Sequence, residues 1–508
     1  MKNTTRTRKA TQFVPVTQNP FVQAMQVQSN FTTTENGALT NKSTLSHVLD
    51  FFGAGGAIRS RTDVDVIALF SKAFSEDRLL ATKILFYLRD VREGQGERKT
   101  FRTLLTWLGK NYPDVVRKNL ENIAFFGRYD DMYALVGTSL EKDVFEVFGN
   151  QLKADLKNMK KGESVSLLAK WLKSENTSSA ESRNLGYKTR QALELTPKRY
   201  RKILSALRKH IDVLETKMCA GDWASINFER VPSKASLNYR KAFGRHDQDR
   251  YAAYLKSVEK GEKKMNAGAV YPYELLRSLI KSTPSAQDIL QADLQWDSMP
   301  NWLEGNEHKG IVIADVSGSM TMSGGLPILV SVSLALYFAE RNVGPFKDFW
   351  MNFSSTPTFQ KFVGNNIYEK WNNMDKHNWA GSTDLQAAFD LILSTSVQNR
   401  VAQKDMPSVL YIVSDMEFNG ACTSNSKTNI LVTKQKFERS GYKMPRVVWW
   451  NVSARNENFP IRSDETGTAL VSGCSPSILK SLLSAKSFDP MSIVYETVNS
   501  PRYERVTV

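Results

Sequence analysis

Apolar residues recur at helical spacing through the first half of the chain and in short unbroken runs through the second. Val64 to Phe74, Asp77 to Val91, Phe101 to Leu108, Val116 to Phe126 and Leu140 to Leu156 each carry an apolar stripe at the three- and four-residue intervals of an amphipathic helix. Short joints, several holding Gly or Pro, separate them. Successive helices with hardly a strand signal predict an all-α bundle or solenoid. No clean internal repeat is visible, so the solenoid reading rests on rhythm alone.

From residue 309 the period changes. Ile311 to Ala314 run without a break into Asp315, which reads as a strand buried on both faces. Asp348 to Ser354, Thr358 to Val363, Val409 to Asp415, Val447 to Val452 and Ala469 to Val471 read as further strands. Leu326 to Arg341, Leu385 to Ser396, Thr428 to Arg439 and Ser475 to Leu483 read as the helices between them. This alternation predicts a doubly wound, mostly parallel α/β domain. The polar, Pro-containing stretch 282–308 leads into it. The expected division is a flexible basic and polar arm over 1–44 (with Lys2, Arg6, Arg8 and Lys9), a helical region over 45–290 and a linker over 291–308. The sheet domain covers 309–485, and a C-terminal segment, 486–508, packs on the body.

Two features carry candidate chemistry. The first is Asp315-Val316-Ser317-Gly318-Ser319 at the end of the first long strand. One carboxylate and two hydroxyls at spacing two form an all-oxygen donor set, suited to a hard divalent cation such as Mg²⁺. Carboxyl ends of parallel strands are where open α/β sheets bind ligands. Thr383, in Gly381-Ser382-Thr383-Asp384, and Asp415, at the end of the strand Val409 to Asp415, lie where they could join it.

The second is charge. The chain of 508 residues carries +16, and the excess is uneven: residues 1–300 hold 48 Lys+Arg against 33 Asp+Glu, residues 301–508 hold 20 against 19. A one-sided basic excess points to a polyanion, most often nucleic acid; a solubilising surface is the alternative. The richest stretch runs from Arg183 to Lys209. It holds Arg183, Lys188, Arg190, Lys198, Arg199, Arg201, Lys202, Arg208 and Lys209 against Glu194 alone. Thr196-Pro197 opens a helix there, with Tyr200, Ile203, Leu204, Leu207 and Ile211 as its apolar stripe and most cations elsewhere. Arg240 and Lys241 follow among aromatics (Tyr239, Phe243), a mixture able to hold backbone and stack bases.

Other classes find less support. Three cysteines lie far apart, without a C-x-x-C, so a reducing, intracellular and cytoplasmic setting is expected. The most apolar helix falls short of the about 18 apolar residues of a membrane span, and no membrane partner is expected. Five histidines show no metal or triad spacing, Ser317 has no G-x-S-x-G elbow, and neither Gly53-Ala54-Gly55-Gly56 nor Arg92 to Arg98 is a phosphate loop. A catalytic role is not expected.

Asp315-x-Ser317-x-Ser319, Thr383 and Asp415 together resemble the metal-ion-dependent adhesion site of von Willebrand factor A domains. The resemblance implies direct metal bonds from Ser317, Ser319 and Thr383, with Asp315 and Asp415 acting mainly through water. It also implies an open position for an acidic side chain of a protein partner. Ser382 stands where that family often has Gly. The whole chain resembles the Ro autoantigen (TROVE-module) architecture, or an uncharacterised Ro-like family close to it. It has a helical region containing Leu85-Phe86-Tyr87-Leu88-Arg89-Asp90-Val91-Arg92-Glu93-Gly94-Gln95-Gly96-Glu97-Arg98, then a basic helical region, then an A domain. In that family HEAT-like repeats close into a ring that binds RNA ends and small structured RNAs. The resemblance therefore implies a non-catalytic ribonucleoprotein component. The alternative is a metal-dependent assembly scaffold without nucleic acid. RNA identity, protein partner and oligomeric state are not legible.

Overall fold

The structure is a computed structural model that describes residues 25, 27–305, 309–353, 356–376, 379, 381–420, 428–485 and 487–508. Lys2, Arg6, Arg8 and Lys9 of the arm, together with His308, His377 and Cys422, lie outside the described residues.

The helical half follows the apolar stripes closely. Helices span Asp63–Glu76, Arg78–Arg89, Lys99–Asn111 and Glu141–Lys160. The stripe read as one helix over Val116 to Phe126 is two, Pro113–Lys118 and Leu120–Phe126, broken at Asn119. Asn119 spends its side chain on the Val115 carbonyl and the far C-terminal segment, so it leaves the helical ladder. Helix Ala286–Asp297 crosses the expected linker. Its start is fixed by a capping box, Ser285 with Asp288, and Trp296 is buried.

Beyond residue 309 a six-stranded sheet forms from β3 (Gly310–Asp315), β4 (Phe349–Phe353), β5 (Phe359–Lys361), β6 (Val409–Ser414), β7 (Arg446–Asn451) and β8 (Thr468–Ser472). The N-terminal hairpin supplies β1 (Phe31–Thr33) and β2 (Leu39–Asn41). The order is β5-β4-β3-β6-β7-β8, parallel except for β5. Every residue of β3 and β6 is buried, as strands covered on both faces require. Helix Met322–Arg341 packs on β3 and β6. Its regular part follows Ser323, Gly324 and Gly325, which have left-handed φ of 54°, 70° and 71°. By length and composition, Gly318–Arg341 is apolar enough to cross a bilayer, contrary to the expectation from sequence. It is mostly buried here, as the central helix of a packed sheet is.

Residues 31–44 are not a loose arm. Hairpin β1–β2 docks on the sheet domain, where Asn41 N and Phe459 O, and Phe459 N and Asn41 O, exchange hydrogen bonds of 3.1 and 2.8 Å. The sequence hid this because the hairpin is short and Thr/Asn-rich, so its pairing is entirely non-local. Helix His47–Gly55 then lies against β8. A Cβ on Gly53 would come within 2.4 Å of Leu470 Cδ2, so glycine sets that close approach. The far end of the helical region returns to its beginning, where Tyr271 Oη donates to Gln95 O at 2.9 Å. One hydrophobic core runs through both halves, and residues 214–265 hold a small second core of their own.

The C-terminal segment crosses back onto the helices. Buried Asp90 accepts from Arg502 Nη2 at 2.7 Å and from Tyr503 Oη at 3.0 Å. Asn119 and Asn122 donate to the carbonyls of Thr507 and Arg505 at 2.6 and 3.0 Å. Tyr503 stacks on Phe126, centroids 5.2 Å apart.

Helix Ala286–Asp297 offers a first prediction. Burial, with Asp297 and Glu340 nearby, pushes the Asp293 carboxyl up to about 6. A carboxyl raised on folding is destabilising once ionised, so the stability it withholds grows as pH climbs from about 4 through 6. Asp293 Oδ1 accepts from Ile367 N, and asparagine keeps that acceptor. Asp293→Asn should therefore gain about 1 kcal/mol at pH 7.5, after discounting for partial exposure, and little at pH 4. Urea unfolding at both pH values checks the difference.

Candidate functional site

β3 and β6 are adjacent and parallel, with Gly310 opposite Val409 and Ala314 opposite Val413. Their carboxyl ends therefore deliver Asp315 and Asp415 side by side. After β3 the chain goes on to β4 and β5; after β6 it builds the other side. The two aspartates thus flank the switch point of the sheet, where the strand ends open a crevice.

A chain of short contacts joins the site. Asp315 Oδ1 accepts from Ser317 N at 2.9 Å, and Oδ2 accepts from Ser414 Oγ at 2.5 Å. Ser317 Oγ lies 3.2 Å from Ser319 Oγ, and the Ser319 hydroxyl bonds to Asp415. Gly318 N donates to Gly381 O at 3.2 Å and Asn419 N to Thr383 O at 2.9 Å, which seats the Thr383 loop against the serine turn. Asp315, Ser317, Thr383 and Asp415 are each buried to 1% exposure or less. Asp315, Ser317, Ser319 and Asp415 are joined through their side chains, and the Thr383 loop is seated beside them through its backbone.

The electrostatics are those of two carboxylates in one dry crevice. Burial, then the neighbouring Asp415, pushes the Asp315 carboxyl up to about 7. Burial also raises Asp415, opposed by Arg455 and by its hydrogen bonds. A cation would relieve both. The hydroxyl spacing also fits, since cis ligands about 2.1 Å from an octahedral Mg²⁺ lie about 3 Å apart. The carboxylates' inner lone pairs serve Ser317 N, Ser414, Glu417 N and Arg455, which suits contact through water. Among the described residues no three His, Cys, Asp or Glu converge, here or elsewhere, so a cation in this crevice would depend on hydroxyl oxygens beside its two carboxylates. In the stretch preceding the Thr383 loop Trp379 meets Trp371 edge-on at 5.5 Å, with Lys376 over Trp371.

Three residues of this neighbourhood were missed from sequence: Ser414, Arg455 and Glu35. Ser414 directly precedes Asp415. Arg455 follows β7, at the same end of the sheet, so strand order could have found it. Glu35 carried no local signal, because its place depends on the docked hairpin.

The basic candidates separate into two sets. Arg190 pairs with Glu175, Lys188 with Glu141 and Arg240 with Asp288. Arg208 donates to the carbonyls of Ala169 and Leu172. These side chains hold the helices together. Lys198, Arg199, Arg201, Lys202 and Lys209 are exposed on helix Pro197–His210, and Arg183 and Lys241 are exposed nearby in sequence. Arg201 and Arg183 reach only local carbonyls. Lys198, Lys202 and Lys209 fall within one narrow stripe at 100° per residue, opposite buried Tyr200, Leu204 and Leu207. That stripe is about 16 Å long.

Residues 34–144 and 172–306 match the family model described as domain of unknown function DUF2828. Residues 309–505 match domain of unknown function DUF7788. The junction falls where the helical region gives way to the sheet. A helical region is followed by a six-stranded, mostly parallel sheet whose β3–β6 crevice lies at the switch point of the strand order. The chain is 29% identical to uncharacterized protein L728 of Acanthamoeba polyphaga mimivirus, over 92% of this chain and 87% of that one. It is also similar to the crystal structure of the Ro (RSR) protein of Deinococcus radiodurans, with a TM-score of 0.49 and 13% identity over 90% of this chain and 100% of that one.

Proposed function

We propose that this chain is a non-catalytic, RNA-binding ribonucleoprotein component. The exposed face of helix Pro197–His210 meets the RNA backbone. The crevice at Asp315 and Asp415 binds Mg²⁺, or another divalent cation, and through it an acidic side chain of a protein partner. The observation that carries the RNA reading is the sorting of cations: Lys198, Arg199, Lys202 and Lys209 have no side-chain partner among the described residues, while the neighbouring arginines are spent internally. Unpaired cations on a rigid helix pay little for desolvation and release counterions on contact with phosphate. In the crevice, Ser317, Ser319 and Thr383 would hold the metal, with Asp315 and Asp415 behind them. The ion would supply a Lewis-acidic position for a carboxylate.

Crosslinking in cells, denaturing purification and sequencing of attached RNA tests the reading. A discrete RNA set is expected. A profile that tracks total RNA abundance, like that of a charge-matched control, would favour the assembly scaffold instead. Charge reversal of Lys198, Arg199 and Lys202 should weaken binding to that RNA by about ten- to a hundredfold and flatten its salt dependence by about two units of slope. Unchanged affinity in a folded variant would move the RNA to another face.

A further inference from the structure

Arg455 is a charged side chain of the crevice that the metal reading leaves without a task. Its guanidinium sits between two carboxylates, with Nη2 2.8 Å from Asp415 Oδ2 and 3.2 Å from Glu35 Oε2. The side chain is 14% exposed, and its buried Nε has no partner among the described residues. An arginine tied this firmly to a carboxylate and left partly unsatisfied is held in place by something else.

Two remote segments hold it. Arg61, just after helix His47–Gly55, donates to the carbonyls on either side of Arg455: Nε to Ala454 O at 2.7 Å and Nη2 to Asn456 O. Ala454 N in turn donates to Ala57 O at 3.0 Å. On the opposite side Asn456 Nδ2 donates to Glu35 Oε1 and Glu417 Oε1 at 2.8 and 2.9 Å. Glu417 Oε2 accepts from Glu35 N at 2.8 Å. The arginine loop is therefore gripped by the helical region and by the N-terminal hairpin.

We propose that Arg455 is a built-in counter-cation that couples occupancy of the crevice to the seating of the N-terminal hairpin. This rests on the metal reading above. A divalent ion beside Asp415 repels the guanidinium and competes for the same carboxylate. Arg455 then loosens from Asp415, and its contact with Glu35 loosens with it. By reciprocity, whatever holds hairpin and loop in place weakens the ion. The helical region, through Arg61, thus has a direct mechanical connection to the crevice.

The experiment is a calorimetric Mg²⁺ titration of the full chain, wild type against Arg455→Gln. Hydrogen exchange of residues 34–38 and 453–458 is followed with and without Mg²⁺. The variant should bind Mg²⁺ about tenfold more tightly. Mg²⁺ should speed exchange in both segments of the wild type and leave the variant unchanged. Equal affinities overturn the coupling but leave the metal reading standing, as does tighter binding without the exchange effect. No Mg²⁺ binding by either chain overturns the metal reading and this proposal with it. If Arg455→Gln does not fold, the wild-type exchange result decides alone.

Discussion

Asp90→Ala should destabilise the protein by about 3–5 kcal/mol, the scale for breaking a buried charge pair by removing one partner. Asp90 is 0% exposed and accepts from Arg502, from Tyr503 Oη and from Arg92 N. Truncation leaves a largely buried guanidinium with only Glu93, 3.9 Å away, and a buried phenol without its acceptor, and both were desolvated on folding. Tyr503, which stacks on Phe126 and meets Tyr87 edge-on, also loses its anchor. The loss should appear as a lower urea midpoint. A change within about 0.5 kcal/mol, the range of surface substitutions, would mean that the C-terminal segment contributes little to the fold. Replacing Asp90 and Arg502 together with apolar residues should cost less than Asp90→Ala alone, because no unpaired charge remains.

Ser317→Ala with Thr383→Ala should lower Mg²⁺ affinity by about a hundredfold or more, since two of the proposed direct oxygen ligands disappear. In wild type, millimolar Mg²⁺ should raise the melting temperature, because an ion that binds only the folded chain stabilises it. The double variant should melt at nearly the same temperature with and without the ion. Asp315→Asn separates charge from coordination. The Asp315 carboxyl is pushed up to about 7 by burial and by Asp415, so an uncharged amide should leave metal-free stability equal or higher while the Mg²⁺ response is lost. Unaltered Mg²⁺ stabilisation in the double variant would place the ion elsewhere.

The sheet domain was legible because its strands are buried on both faces and announce themselves as unbroken apolar runs. β3 and β6 end within a residue of expectation, and Asp315, Ser317, Ser319 and Asp415 come together at those ends. What stayed hidden depends on distant partners. Hairpin β1–β2 has no apolar face of its own and is held by Phe418, Glu417 and Phe459. Helix Ala286–Asp297 was obscured by the prolines that flank it. Among the basic residues composition could not tell bearing side chains from exposed ones, because Arg190, Arg208 and Lys198 read alike until their neighbours are known. Arg455 was passed over for the same reason: only the order of strands puts the end of β7 beside the crevice.

The two ends of the chain are exchanged. The first strands belong spatially to the sheet, and the last residues belong to the helices. A nick between residues 298 and 309 would sever the backbone and leave two fragments, each carrying a strap that the other needs. The joint between the two family-matched regions is thus fastened from both sides, more like a buckled belt than a string with two beads.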